Sequence, residues 1–242
     1  MLGRYFVAAA ALLAHAPAAL AQDGGGSGVG LRVGSGGIIL DYAHALGTHF
    51  DLRGGYALGK VSQEVEEDGI DYDADVEFAS ALAMLDYRPF AGGFRVSAGA
   101  YSRAPDITLL TRAEDEQYEI GDSEYTASGR LDGDIDLGVV TPYLGIGWGG
   151  TTGGTGLGWS VDVGVMLADA PSAEFVANGR ACDSSLFACD PDGPLGFDVN
   201  DPDDPRAQAF RSELEDEEDN VEAELEDLRY WPVVSLGVHY RF

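Results

Sequence analysis

The chain is built on alternation. In its last ten residues, Val233 to Phe242, one set is Val234, Leu236, Val238, Tyr240 and Phe242, and the other is Val233, Ser235, Gly237, His239 and Arg241. Successive side chains of a strand point to opposite faces, so this strand has one wholly apolar side and one that is mostly small or polar. The same period of two recurs upstream. It predicts strands at Val29–Gly34, Ile38–Ala45, Phe50 to about Val65, Ile70–Arg88, Phe94 to about Thr111, Gly129–Gly149, Leu157 to about Val176 and Arg229–Phe242. One of them, Ile70–Arg88, has an ambiguous facing, because Phe78, Leu82 and Met84 oppose an alanine-rich set. Connections alternate in length. Leu46–His49, Pro89–Gly93 and Gly150–Gly156 are short, whereas the others grow from Ser35–Gly37 to an insertion at 177–228.

Eight antiparallel strands fit two architectures. A soluble barrel hides its apolar face inside, and a membrane barrel turns it outward. Residue size favours the second: the polar face is rich in glycine, serine and alanine, which a narrow interior needs, and the bulk sits on the other face. Aromatic residues cluster at strand ends (Tyr42, Phe50, Tyr87, Phe94, Trp148, Trp159, Tyr230, Trp231, Tyr240, Phe242), as girdles at two membrane interfaces would. Ser235, Gly237, Tyr240 and the terminal Phe242 fill the slots of the C-terminal assembly signal of bacterial outer-membrane β-barrels. In architecture the chain resembles the small eight-stranded group that includes the outer-membrane protein A transmembrane domain and outer-membrane protein W. That resemblance implies an all-β, eight-stranded antiparallel transmembrane β-barrel in the cell outer membrane, with long external loops. It implies outer-membrane lipid, lipopolysaccharide and the barrel assembly machinery as partners, and a structural or surface-interaction role. A narrow channel for small solutes is the alternative.

The polar face then lines the lumen. It carries Arg32, Arg53, Arg95 and Arg241 against Asp41, Asp51, Asp86 and Asp162. An eight-stranded barrel is just wide enough to be filled by side chains, and buried charges are tolerated when paired. An ion-pair network plugging the lumen is therefore expected.

The front end agrees with export. Met1–Arg4 is a short basic start, Tyr5–Leu13 is apolar, and Ala19-Leu20-Ala21 is a small-x-small site, so residues 1–21 read as a signal peptide and 22–242 as the barrel. A secreted chain with two cysteines, Cys182 and Cys189, is expected to join them. The net charge of −28 argues against nucleic acid as a partner. Residues 64–77, 106–136 and 174–227 hold 8, 10 and 18 of the 42 acidic residues, which places most of the charge in external segments. Divalent cations are candidate partners of those acids, with Asp132, Asp134 and Asp136 as weak ligands. They match the first three positions of an EF-hand loop, but Leu137 and Tyr143 stand where its glycine and bidentate glutamate belong. No cofactor is expected.

The insertion contains a helix at about 205–228. Asp204 can cap it, and Pro205 suits its first position. Phe210, Leu214, Val221, Leu225 and Leu228 form one apolar stripe, while acids cover the remainder and repel one another. The stripe therefore needs a partner, by default the protein's own barrel. Catalysis is not expected. Histidines at 44, 49 and 239 all fall at the end where the chain terminates, and no external loop contains a histidine to act as general base for a serine nucleophile.

Overall fold

The computed structural model describes residues 26–67, 70–120, 123–151, 155–185 and 189–242; the segment read as a signal peptide lies outside them. The strands are β1 (Ser27–Gly34), β2 (Gly37–Ala45), β3 (Phe50–Glu67), β4 (Ile70–Tyr87), β5 (Phe94–Tyr101), β6 (Asp106–Ile120), β7 (Ser123–Asp136), β8 (Thr141–Thr151), β9 (Gly156–Leu167), β10 (Ser172–Asp183), β11 (Phe197–Asp198) and β12 (Tyr230–Arg241). One helix, α1 (Pro205–Glu224), follows β11.

Eight strands close a ring. Antiparallel pairing runs β1–β2–β3–β4–β5–β8–β9–β12 and returns to β1, where Val29 faces Tyr240 and Val33 faces Leu236. The alternation of the sequence maps onto this ring. On β12, Trp231, Val233 and Ser235 are buried, whereas Val234, Leu236, Val238, Tyr240 and Phe242 are exposed. Val29, Leu40, Leu52, Leu144 and Leu157 continue the exposed band, with Leu157 67% accessible. An apolar belt around a closed barrel is a membrane-facing surface, because water would penalise so large a contiguous patch.

The other strands make the wall taller on one side. The outer half of β4 leaves β5 and pairs with β6; β6 pairs with β7, β7 with β10, and β10 with the short β11. Three expected strands are thus interrupted, at Ser102–Pro105, Leu137–Val140 and Ala168–Pro171. The register nevertheless carries across two of the breaks: Leu82 faces Tyr101 and Glu77 faces Asp106 on one ladder, while Tyr101 faces Thr141 and Ile107 faces Ile135 on the next. Only the step from β9 to β10 slips by a residue (Tyr143 faces Met166, Asp136 faces Ser172). Proline ends two of the breaks, removing a ladder donor. Gly138, at φ 95°, turns the third, with its N–H on Asp136 Oδ1 at 2.7 Å. The breaks are tied to one another by Ala104 N–H to Gly138 O (3.2 Å) and Asp169 N–H to Leu137 O (3.0 Å). They mark the rim where barrel gives way to an open extension sheet.

The helix covers the lumen-side face of that extension. Asp204 caps it through the Arg206 N–H at 2.9 Å, and a 3-10 turn at Glu226–Arg229 replaces its expected last turn. Ala207, Phe210 and Leu214 are buried with Ile120, Tyr125, Ala181, Phe197 and Val199. Further along the stripe, Leu225 and Leu228 pack instead on the cluster at the barrel mouth. The stripe thus finds its partner mainly in the extension sheet, not in the barrel alone. Two of the acids have a structural use as well. The β10 edge is unpaired beyond β11, and Glu218 and Glu222 accept its Phe175 and Ala173 N–H groups at 2.7 and 2.9 Å. Residues i and i+4 on a helix repeat at ~6 Å, close to the ~6.8 Å of i and i+2 on a strand, so two successive glutamates match two edge donors. An open edge that would template aggregation is thereby blocked.

Candidate functional site

The lumen holds the densest set of buried charged side chains. Each of the eight charged residues expected to line it points inward, and their contacts form two groups. The larger is an alternating chain. Asp41 on β2 meets Arg32 on β1 (3.2 Å), Arg32 reaches Asp162 on β9 (3.3 Å), and Asp162 receives Arg95 from β5 (2.5 Å). Arg95 approaches Asp86 on β4 at 4.0 Å, and Asp86 accepts two hydrogen bonds from Arg53 on β3, both 2.9 Å. Ser97 Oγ–H donates to the same Asp86 at 2.5 Å. Six strands thus contribute three cations and three anions to an open chain with no net formal charge. The two strands that contribute none are glycine-rich where the chain passes. A Cβ on Gly147 of β8 would lie 2.5 Å from Asp162 Oδ1, and one on Gly237 of β12 would lie 2.5 Å from the Arg32 stem.

The smaller group sits nearer the chain termini. Asp51 pairs with Arg241 at 3.3 Å and with Arg88. The expected set omitted Arg88, although parity finds it: Met84 and Asp86 point inward, so the second residue beyond Asp86 does too. The lumen therefore carries five arginines against four aspartates. Buried Thr141 Oγ1 and Ser160 Oγ have no hydrogen-bond partner among the described residues.

Toward the far end the lumen turns apolar. Ile39, Ala57, Phe78, Leu82, Met84, Met166 and Val233 pack with Tyr101, Tyr143 and Trp231 in one cluster. Phe78 lies edge-on to Trp231 at 5.9 Å, and Tyr101 to Tyr143 at 5.8 Å. The space remaining between Phe78, Tyr101, Met166 and Val233 is about 10 Å³, room for about one water. This settles the ambiguous strand: Phe78, Leu82 and Met84 of β4 point in, and Ala81 and Ala83 point out. It also corrects Trp231, which fills the mouth and does not belong to a girdle. Most of the remaining strand-end aromatics, including the stacked Phe50–Tyr87 and Tyr240–Phe242 pairs and the Phe94–Trp148 pair, lie at the terminal end. One girdle is pronounced, and Tyr230 stands almost alone at the other level.

The remaining candidates are dispersed. Asp132, Asp134 and Asp136 lie along the outward face of β7, where Asp132 is held by Arg130 and Asp136 by Gly138 N–H. Among the described residues no group of three or more His, Cys, Asp or Glu side chains is arranged to hold a metal ion. Cys182 and Cys189 form a disulfide at the top of β10. Ser235 faces the lumen, Gly237 gives way to Arg32, and Tyr240 and Phe242 face outward. His44 Nδ1 lies 3.0 Å from Ser27 Oγ, which also accepts the Tyr42 hydroxyl at 2.7 Å. No carboxylate is hydrogen-bonded to His44 among the described residues, and the group sits at the terminal end of the membrane face.

A closed eight-stranded ring, an apolar outer belt, an interior of paired charges and both described chain ends on one side define the fold of a small outer-membrane β-barrel. No protein-family model matches the chain, and no curated protein matches it in sequence. Solved structures share the fold, among them two crystal structures. The crystal structure of Acinetobacter baumannii CarO2 superposes with a TM-score of 0.59 at 19% identity, covering 91% of this chain and 100% of that one. Acinetobacter baumannii CarO superposes with a TM-score of 0.51 at 20% identity, covering 90% and 97%. In outer-membrane barrels short turns are periplasmic and longer loops external.

Proposed function

We propose that this protein is a non-catalytic outer-membrane barrel with a closed lumen, whose role is to hold the external sheet and its acidic helix at the cell surface. The observation that carries this reading is the filling of the lumen at two levels. An alternating chain of six oppositely charged side chains spans its centre, and the cluster around Phe78, Met84 and Trp231 fills its external mouth. Charges paired in this way resist rearrangement, because opening a gap leaves an uncompensated ion in a low-dielectric interior. A plug built from the wall itself has no hinge, so it favours a scaffold over a gated pore. The large acidic surface is then a solvated face toward the medium, with lipopolysaccharide and bridging divalent cations as its neighbours.

A liposome-swelling assay tests the closed lumen. Vesicles carrying the protein should swell in small sugars or amino acids no faster than empty ones; faster swelling, graded with solute size, would favour the channel reading. Recognition of the C-terminal strand by the assembly machinery is tested separately. Deleting Phe242 should reduce the heat-modifiable, folded form in outer-membrane fractions several-fold, and unchanged yield would remove the assembly role of Ser235, Gly237, Tyr240 and Phe242.

A further inference from the structure

Beneath α1 lies a cavity of about 230 Å³, against the space of about 10 Å³ described at the barrel mouth. Its roof is Phe210, Leu214 and Val221; its walls are Leu109, Leu131 and Phe175. The floor is the extension sheet, and there the side chains are absent or short: Ala127, Gly129, Gly133, Ala177 and Gly179. Two of these glycines cannot be replaced to fill the space. Gly129 and Gly179 face one another across β7 and β10, and a Cβ on either would meet the opposite backbone oxygen at 2.2 or 2.3 Å. The helix therefore rests on its larger side chains and leaves a void over the smallest part of the floor.

Chemistry narrows what such a void takes. Water in a cavity requires two to four polar partners. Three of the polar side chains at the margin are already engaged: Arg130 with Asp132 at 2.7 Å, Arg180 with the Pro191 carbonyl at 2.8 Å, and Asn178 with Asn200 at 3.3 Å; Thr111, Tyr118, Ser128 and Glu217 complete the polar part of the lining. The remaining surface is overwhelmingly apolar. A dry apolar cavity of ~150 Å³ suffices for benzene, so this one admits a substituted single ring or a fused bicyclic ring. Charge settles the rest. Of the ten acids between Glu213 and Asp227, Glu217 lies on the lining and opposes an anionic ligand, and the lining's Arg130 is already paired with Asp132.

We propose that the cavity between α1 and the extension sheet is a binding site for a small, uncharged aromatic molecule. The site is independent of the barrel lumen, so it stands or falls apart from the closed-lumen reading. The opening of the external face to the medium gives such molecules access without crossing the lipid.

The test uses the full mature chain in lipid nanodiscs, since detergent would itself occupy an apolar void. With alanine methyl groups labelled with carbon-13, indole is titrated and the Ala127 and Ala177 methyl resonances are followed. Saturable shifts of both are expected. Indole-3-acetate, which adds a carboxylate to the same ring, should bind at least tenfold more weakly. Ala177→Phe fills the void and should abolish the Ala127 shift while leaving the heat-modifiable folded form intact. If that variant does not assemble, Ala127→Leu fills the same space, with Ala177 as the reporter. Shifts that rise linearly without saturation, that persist in an assembled filled variant, or that are matched by the acetate would each overturn the proposal.

Discussion

The barrel and the external sheet share strands but oppose one another in polarity. The ladders of β8 and β7 show this most directly, since the register passes from one to the other unbroken. Within the barrel, the inward residues are Gly147, Gly145, Tyr143 and Thr141, and the outward ones are Trp148, Ile146 and Leu144. Past the rim, the inward residues become Ile135, Gly133 and Leu131, and the outward ones Asp136, Asp134 and Asp132. Parity is conserved while chemistry inverts. The outer face meets lipid below the rim and water above it; the inner face is a narrow charged lumen below and a helix-covered apolar core above. Alternation thus fixes which side a residue takes, and the surrounding solvent decides what that residue should be.

Substitutions break the comparison in order of expected size. Arg53→Ala leaves Asp86 buried with the Ser97 hydroxyl and only the distant Arg95 as a cation, and should destabilise the barrel by about 3–5 kcal/mol in denaturant unfolding from vesicles. Replacing both partners, as Arg53→Met with Asp86→Leu, should recover most of that loss, since an apolar pair of similar volume leaves no orphan charge. If the double variant is as unstable as the single, the lumen charges are not a paired network. Next come matched substitutions on the outer face of one ladder. Leu144→Arg exposes a cation to lipid and should cost about 2–4 kcal/mol near the bilayer midplane. Asp134→Leu, beyond the rim, should stay within about 0.5 kcal/mol. Equal effects would place the rim wrongly.

Smaller effects are confined to the external unit. Cys182→Ser opens a loop with a sequence separation of 7 and should cost about 2–3 kcal/mol there, seen as faster proteolysis near β11 with barrel mobility unchanged. The smallest involves the helix cap. The Arg206 guanidinium and backbone N–H hold the Asp204 carboxyl below the usual carboxylate range. A depressed value means that the cap contributes fully above the ordinary carboxylate pKa of about 3.9 and is lost as pH falls through the lowered one. Amide exchange in the first turn of α1 should therefore rise, after correction for intrinsic rates, only at pH below about 4. In Asp204→Ala that rise should be absent, with exchange already fast at neutral pH.

Much of the barrel was legible because its code is local. Val234, Leu236, Val238, Tyr240 and Phe242 declare an outward face with no knowledge of neighbours, and the same parity turns Arg32, Asp41, Arg53, Asp86, Arg95, Asp162 and Arg241 inward. Arg88 escaped because it stands where the strand ends, although the period still holds there. Trp231 was misread for a related reason: an aromatic at a strand end resembles a girdle residue, yet parity with Val233 turns it inward. The breaks at Ser102–Pro105 and Leu137–Val140 were hidden by the conserved register, which lets the hydrophobic pattern run through them. What could not be read was tertiary. That Glu218 and Glu222 cap an open strand edge depends on β10 running past the short β11, and no spacing in the helix reveals that. The cavity under α1 likewise arises from the pairing of Gly129 with Gly179, which lie far apart in sequence.

The central claim, that the lumen is closed by its own wall, is tested most directly by planar lipid-bilayer recording of the refolded mature chain beside a variant in which Phe78 and Trp231 are both alanine and Arg53 and Asp86 are both serine. The wild type should show no discrete conductance steps, and the variant, its two levels of filling emptied, should show reproducible openings. Discrete openings of uniform size from the wild type would contradict the account.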